Sequence, residues 1–198
     1  MPPLILASAS PRRSQLLRDL GLSFQVVPSH APEPPPTSAD IQNPGAYVEK
    51  LAHLKSQSAE NDAVVIAADT VVVLESGGQN RILGKPRDEN EARAMLRQLR
   101  GQTHRVFTGV CVRRGAEIQV AHQITRVTFG DFSDEFIEAY VKTGEPMDKA
   151  GSYAAQGKGA LLIERIEGDY FNVVGLPLEH LGRMLREFGV RVEAFWAA

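Results

Sequence analysis

Apolar positions along this chain switch between two patterns. Leu4 to Ala7 and Val64 to Ala67 are short continuous apolar runs, as strands covered on both faces require. Val71 to Leu74 forms a further run, followed by a Gly77-Gly78 turn. Residues 104–113 and 117–129, joined around Gly115, predict a long hairpin, and Ala160–Ile166 and Val190–Phe195 complete the predicted strands. Helical spacing lies between these blocks. Ser10 is suited to an N-cap, Pro11 to the first helical position, and Leu16, Leu17 and Leu20 form an apolar face that stops at Gly21. Asn43-Pro44 opens a second helix, with Tyr47, Val48, Leu51, Ala52 and Lys55 on one side. Asp88 with Glu91 has capping-box spacing and precedes a helix that ends at Gly101. Ser133 starts a fourth helix ending at Gly144, and Pro177 a fifth ending at Gly189. Five prolines in the nine residues Pro28–Pro36 predict an extended loop, because each fixes φ and removes a backbone donor. Strands and helices interleave, so the predicted class is α/β with a mixed sheet containing antiparallel hairpins.

Composition narrows the classes. The chain has 198 residues, of which 43% are hydrophobic, enough for one domain over residues 1–198 with a sizeable core. A net charge of −2 argues against a nucleic-acid coat and against a polybasic membrane binder. The apolar run Ala63–Ala68 is far short of the roughly 20 residues needed to cross a bilayer. The opening MPPLILASASPRR has no basic region before its apolar stretch, so no signal peptide is expected, and the expected location is the cytoplasm. A single cysteine, Cys111, excludes an internal disulfide and any cysteine-rich metal site. No His pair has zinc-ligand spacing.

The candidate chemistry starts at the first strand–helix junction, Ser8-Ala9-Ser10-Pro11-Arg12-Arg13. Free amides and the helix dipole make such a junction an anion site. Arg12 and Arg13 in the first turn oppose the dipole by a few tenths to about 1 kcal/mol each, a sign that a bound phosphate would reverse. Ser8 and Ser10 would add hydroxyl donors. A plain Ser10 cap with both arginines in water is the other reading. Asp69, directly before Thr70, closes the run VVIAAD, where a metal ligand, a general base and a turn cap are all consistent. Glu33 sits in the proline-rich loop, Lys55 on the buried side of its helix, and Lys85 in the tight Gly84-Lys85-Pro86 turn. Residues 144–157 form a glycine-rich polar loop ending in Gln156-Gly157. An amide side chain such as Gln156 pairs with a base edge that shows C=O beside N–H, as uracil and thymine do; a turn-stabilising Gln fits equally well.

Taken together, Ser8-Ala9-Ser10-Pro11-Arg12-Arg13, Ala68-Asp69-Thr70, Gly84-Lys85-Pro86, residues 101–110 and Gly144-Glu145-Pro146 resemble the Maf family of nucleoside triphosphate pyrophosphatases in order and spacing, essentially end to end. The resemblance implies a fold similar to inosine triphosphate pyrophosphatase: an elongated mixed sheet with flanking helices in two lobes around a cleft. It implies hydrolysis of a nucleoside triphosphate to monophosphate and pyrophosphate with a divalent metal, Mg²⁺ or Mn²⁺. Residues 148–157 and 168–178 look like the branch acting on dTTP and UTP. Asp69 matches the family's catalytic carboxylate, and Arg12, Thr70 and Gln156 match its specificity positions. Glu33, Lys55 and Lys85 match active-site positions. On this reading Ser8, Ser10, Arg12 and Arg13 hold phosphates, Lys55 and Lys85 assist catalysis, and Glu33 with Asp69 binds the metal. The expected partner is a small nucleotide, with neither nucleic acid nor membrane, and a homodimer follows by analogy. A nucleotide-binding regulator of cell division without turnover is the alternative function; modified pyrimidine triphosphates are alternative substrates.

Overall fold

The computed structural model describes residues 2–57 and 62–196. The strands are β1 (Leu4–Leu6), β2 (Gln25–Val26), β3 (Val64–Ser76), β4 (Gln79–Leu83), β5 (Thr103–Arg114), β6 (Glu117–Phe129) and β7 (Ile163–Glu167). The helices are α1 (Pro11–Asp19), α2 (Ser38–Gln42), α3 (Pro44–Ser56), α4 (Glu89–Leu99), α5 (Asp134–Val141), α6 (Tyr170–Val174) and α7 (Leu178–Glu187). One seven-stranded sheet runs β2-β1-β3-β5-β6-β7, with β4 paired to the far end of β3. β1 pairs in parallel with β2 and β3, and the remaining pairs are antiparallel, so the sheet is mixed as expected.

The long strand β3 organises the molecule. Its even positions Val64, Ile66 and Ala68 face α1 and α7, where Leu16, Leu17, Leu181 and Leu185 complete one apolar cluster. Farther along the same face, Val72 joins Val106, Val127, Leu96, Leu99 and Ile137 in a second cluster under α4 and α5. The odd face carries Val65 and Ala67 with Ala52, then Val71 and Val73 with Tyr47, Val48 and Leu51 of α3. Each fully buried leucine contributes about 1.5–3 kcal/mol, so these clusters hold the helices on the sheet. On both faces the apolar packing breaks at the same place. Thr70 separates the first two clusters and Asp69 the other two. The two lobes are the two sides of that break.

The predicted runs 64–67 and 71–74 are therefore one strand. Asp69 is mid-strand, not at a strand end: its backbone registers with Gly109 and that of Thr70 with Thr108, so the ladder continues through the polar pair. The predicted strand 160–166 starts later. Residues Gly157–Leu162 form a 3-10 segment, and pairing with β6 begins only at Ile163. The predicted strand 190–195 does not form. Gly189, at φ +74, turns the chain after α7, Val190 packs into the first cluster, and Val192–Phe195 is a 3-10 turn. β2, β4, α2 and α6 are short additions that the pattern does not announce. At the tail, Phe195 packs against the first cluster while Trp196 remains exposed and donates its indole N–H to Leu20 O at 2.7 Å; Ala197 and Ala198 lie outside the described residues. Cys111 is buried, and burial pushes its thiol up, as an inert core thiol requires.

α3 lies against β5 through a glycine. A Cβ on Gly109 would collide with the Val48 carbonyl and approach Glu49 N to 2.8 Å. Backbone cannot swing aside as a side-chain tip can. Gly109→Ala is expected to lower stability by about 1–3 kcal/mol, read as a fall in the denaturant midpoint at unchanged slope. An unchanged midpoint would show that α3 does not need this close approach.

Candidate active site

The break in the packing opens into a cleft of about 720 Å³, lined by the β1–α1 junction, mid-β3, α3, the residues after β4, and the 148–156 loop. Every candidate from the sequence lines it: Ser8, Ser10, Arg12, Arg13, Glu33, Lys55, Asp69, Thr70, Lys85 and Gln156. Five basic side chains (Arg12, Arg13, Lys55, Lys85 and Lys149) and three acids (Glu33, Asp69 and Asp148) line it. The cleft therefore has an excess of positive charge in a chain of net charge −2. Low-dielectric walls concentrate that field on an anion.

The two arginines of the first α1 turn have different surroundings. Ser10 caps the helix, its Oγ accepting from Arg13 N at 3.5 Å, and Ser8 Oγ accepts from Ser10 N at 3.2 Å. The Arg13 guanidinium turns inward. Its Nε donates to Gly175 O at 2.8 Å, Nη1 to Ala68 O at 2.8 Å and Ser8 Oγ at 3.3 Å, and Nη2 to Thr70 Oγ1 at 3.0 Å. One planar fork thus ties the β1–α1 junction, β3 on both sides of Asp69, and the end of α6. Burial lowers the Arg13 pKa, while the nearby Asp69 charge works in the opposite direction. Thr70 Oγ1 also lies 2.9 Å from Thr108 Oγ1, and Thr108 donates to Asn172 O at 2.9 Å, which carries the tie deeper into α6. Arg12 is half-buried on the cleft wall near Asp148; burial pushes that carboxyl up, but the Lys149 hydrogen bond and charge, and then the Arg12 charge, bring it below its ordinary value.

Opposite the arginines is a charge cluster. Lys55 Nζ contacts Asp69 Oδ1 at 2.5 Å and Glu33 Oε1 at 2.8 Å. Asp69 is buried, 7% exposed, whereas Glu33 reaches in from the proline-rich loop. Tyr47 holds that loop, its hydroxyl donating to Pro34 O at 2.9 Å. Burial, followed by the charges of Asp69, Asp40 and Glu33, pushes the Tyr47 hydroxyl up to about 12. The far wall has Lys85 and Gln156, both exposed. Gly151 N donates to Gly84 O at 3.0 Å, joining the turn of Lys85 to the loop of Gln156.

Sequence comparison places this arrangement. The family model described as Maf-like protein matches residues 3–188. The chain belongs to the Maf family. A relative named dTTP/UTP pyrophosphatase from Pelotomaculum thermopropionicum is 49% identical over 97% of this chain and 100% of its own length. A relative of the same name from Moorella thermoacetica is 50% identical over 97% and 98%. Among solved structures, a HAM1 protein from Coxiella burnetii aligns with a TM-score of 0.52 at 14% identity, covering 94% of this chain and 100% of that one. That likeness concerns the fold, and it matches the elongated mixed sheet with flanking helices around a cleft.

Three features of this Maf site go beyond what the sequence pattern predicts. The helical spacing marks Tyr47 only as an apolar position, although a tyrosine near the start of a helix facing a proline-rich loop already has a polar tip to place. Asp148 and Lys149 stand out in the sequence only as part of a polar loop. The inward turn of Arg13 has one sequence signal: a hydroxyl residue, Thr70, directly after the buried Asp69 gives a guanidinium an acceptor. Arg13→Lys keeps the charge but has no fork, so acceptors at Gly175 and Ala68 are left short. Each unpaired buried acceptor costs about 1–3 kcal/mol, and the variant is expected to melt clearly lower than the parent. Equal melting temperatures would show that charge alone, without the fork, satisfies the position.

Proposed function

We propose that this Maf protein hydrolyses dTTP and UTP to the monophosphate and pyrophosphate. The observation that carries the reading is the cleft itself: an inward-facing carboxylate, Asp69, lies amid basic side chains where β3 passes from one pair of apolar clusters to the next. The names of its relatives fit this reading. Phosphoryl chemistry of this kind is catalysed mainly by positioning and charge stabilisation, and the cleft is equipped for both.

On this reading the triphosphate lies between the α1 junction and Lys85. Arg12, Lys55 and Lys85 neutralise its oxygens, Ser8 and Ser10 offer hydroxyls, and Arg13 contributes its charge while fixing the wall. Asp69 takes a proton from the water that attacks the α-phosphorus. A new bond forms from water oxygen to phosphorus, and the bond from phosphorus to the α–β bridging oxygen breaks. Its electron pair leaves with pyrophosphate. Gln156 offers amide donor and acceptor to the O4 and N3–H edge of uracil or thymine; cytosine reverses that pattern.

Glu33 and Asp69 supply hard carboxylate oxygens on either side of Lys55. The described residues hold no group of three or more His, Cys, Asp or Glu suited to a metal. Two carboxylates fit a small hard cation that keeps waters and draws its remaining ligands from substrate phosphates. Glu33 and Asp69 would hold Mg²⁺ or Mn²⁺, which when bound supplies charge neutralisation at the phosphates. Lys55 would then exchange Glu33 for phosphate oxygens and keep its contact with Asp69.

Three measurements test the reading. Incubation with a panel of nucleoside triphosphates is expected to give monophosphate plus pyrophosphate from dTTP and UTP. Orthophosphate with diphosphate, or no turnover at all, rejects it. Asp69→Asn should leave nucleotide affinity intact and reduce kcat by at least about 10²-fold, the loss expected of a general base; a near-normal rate removes Asp69 from that role. In a second comparison, Gln156→Ala should erode the preference for UTP over CTP by about 5- to 150-fold in kcat/KM, the range of an unpaired amide. An unchanged ratio rejects edge reading by Gln156.

A further inference from the structure

The loop that carries Gln156 has little regular structure of its own. It runs through two 3-10 turns, Glu145–Asp148 and Ala150–Ser152, then an irregular stretch 153–156 that bends at Ala155 and Gln156, then the Gly157–Leu162 3-10 segment. Neither a helix nor a sheet ladder fixes position 156. A side chain can discriminate one hydrogen-bond edge from its reverse only if it is held still. The fixing groups must be found on either side of it.

They converge on Glu145. Its Oε1 accepts from Gly159 N at 2.9 Å and from the Tyr140 hydroxyl at 3.0 Å, and its Oε2 accepts from Lys158 N at 3.2 Å. The Tyr140 oxygen in turn accepts from Ala154 N at 3.1 Å. Backbone amides two residues before Gln156 and two and three after it are therefore tied, directly or through one phenol, to a single carboxylate. Lys149 Nζ donates to Glu145 O at 2.6 Å, which fixes the start of the loop as well. Tyr140 is buried in the α4–α5 cluster, so the anchor belongs to the rigid lobe. The packing leaves no slack. A Cβ on Gly157, whose φ is +72, would come within 2.8 Å of Glu145 Oε2, and one on Gly159 within 2.5 Å of the Tyr140 oxygen. Burial pushes the Glu145 carboxyl up, but the amides of Gly159 and Lys158 with the Tyr140 hydroxyl outweigh it, and its pKa lies below the ordinary value. The carboxylate is thus kept in the form that accepts from all its partners.

We infer that Glu145, with Tyr140 as its relay, is a positioning residue for base selection: it pins the amides on both sides of Gln156 so that the side-chain amide meets the pyrimidine edge in one register. This inference rests on the proposed reading of Gln156. Glu145 is not assigned contact with the nucleotide, so its effect belongs in the ratio between bases and not in the chemical step.

The test uses the full chain and four proteins: parent, Glu145→Gln, Tyr140→Phe and Gln156→Ala. Glu145→Gln preserves shape but turns one acceptor into a donor that faces an amide N–H. Tyr140→Phe removes the relay hydroxyl and leaves the ring in the core. Both are expected to lower the UTP-to-CTP ratio of kcat/KM by at least about 5-fold, with kcat for UTP within about threefold of the parent, and to speed amide hydrogen exchange over residues 154–159. If both variants cut kcat/KM for UTP and CTP equally, Glu145 is a general stabiliser and the inference fails. It also fails if the ratio and the exchange stay at parental values while Gln156→Ala lowers the ratio; that outcome leaves the edge reading standing. If Gln156→Ala does not move the ratio, the edge reading fails and this inference with it. Should Glu145→Gln fold poorly by circular dichroism, Tyr140→Phe, which changes no charge, decides the same question.

Discussion

The structure depends on an interruption. β3 runs unbroken for 13 residues through the centre of the sheet, yet Asp69 and Thr70 belong to none of the apolar clusters that flank them on its two faces. Burying a carboxylate in that position without compensation would cost far more than a local hydrogen bond returns. Two cations meet the cost from opposite faces. Lys55 contacts Asp69 directly, and Arg13 binds the carbonyl before it and the hydroxyl after it. Because one comes from α3 and the other from α1, satisfying the polar pair also fixes where both helices lie. The compensation for a buried charge and the assembly of the cleft are one event.

The same arrangement suits an anionic ligand. A cation paired only with acids has no reason to release them; a cation at the mouth of a cleft with an excess of positive charge does. Lys55 is held between Glu33, half exposed on a loop, and Asp69, almost wholly buried. The exposed partner is the one whose pairing is weakened by water and salt. On the proposed reading, a phosphate oxygen displaces Glu33 and leaves the inner pair intact. On the same reading, the proline-stiffened loop fastened by Tyr47 keeps Glu33 near Lys55 without burying it, as a carboxylate to be displaced and returned requires.

Much of this was legible beforehand, and the failures have physical causes. Helix starts were accurate because caps are local: Ser10, Asn43, Asp88 and Ser133 each accept from the amide three residues on. The continuity of β3 was hidden because a polar pair inside an apolar run looks the same whether the chain turns or continues through it; only the register with Gly109 and Thr108 decides. The supposed strand at 190–195 has the alternation but lacks a neighbour to pair with, and pairing is not encoded in one segment. Motif spacing brought the candidate residues to one cleft. It was silent on which way a side chain turns, and so it grouped Arg12 with Arg13 although one guanidinium lies along the cleft wall and the other is committed to four protein acceptors.

The two ends of the cleft are built on different principles. The Asp69 end rests on a central strand and two helices, where position is set by apolar packing and ladder hydrogen bonds. The Gln156 end rests on a loop pinned by one carboxylate and one phenol, with the Gly151–Gly84 backbone bond and the buried Tyr153 hydroxyl on His104 holding its earlier part. Chemistry on a triphosphate is the same for every base, so the groups that touch it gain from a rigid, generic frame. Base choice depends on two or three atoms of a heterocycle, and a small change in the loop alters it without disturbing β3. On the proposed reading, an amide placed outside the sheet, yet pinned to a tyrosine rooted in the core, lets base choice change without disturbing the Asp69 end.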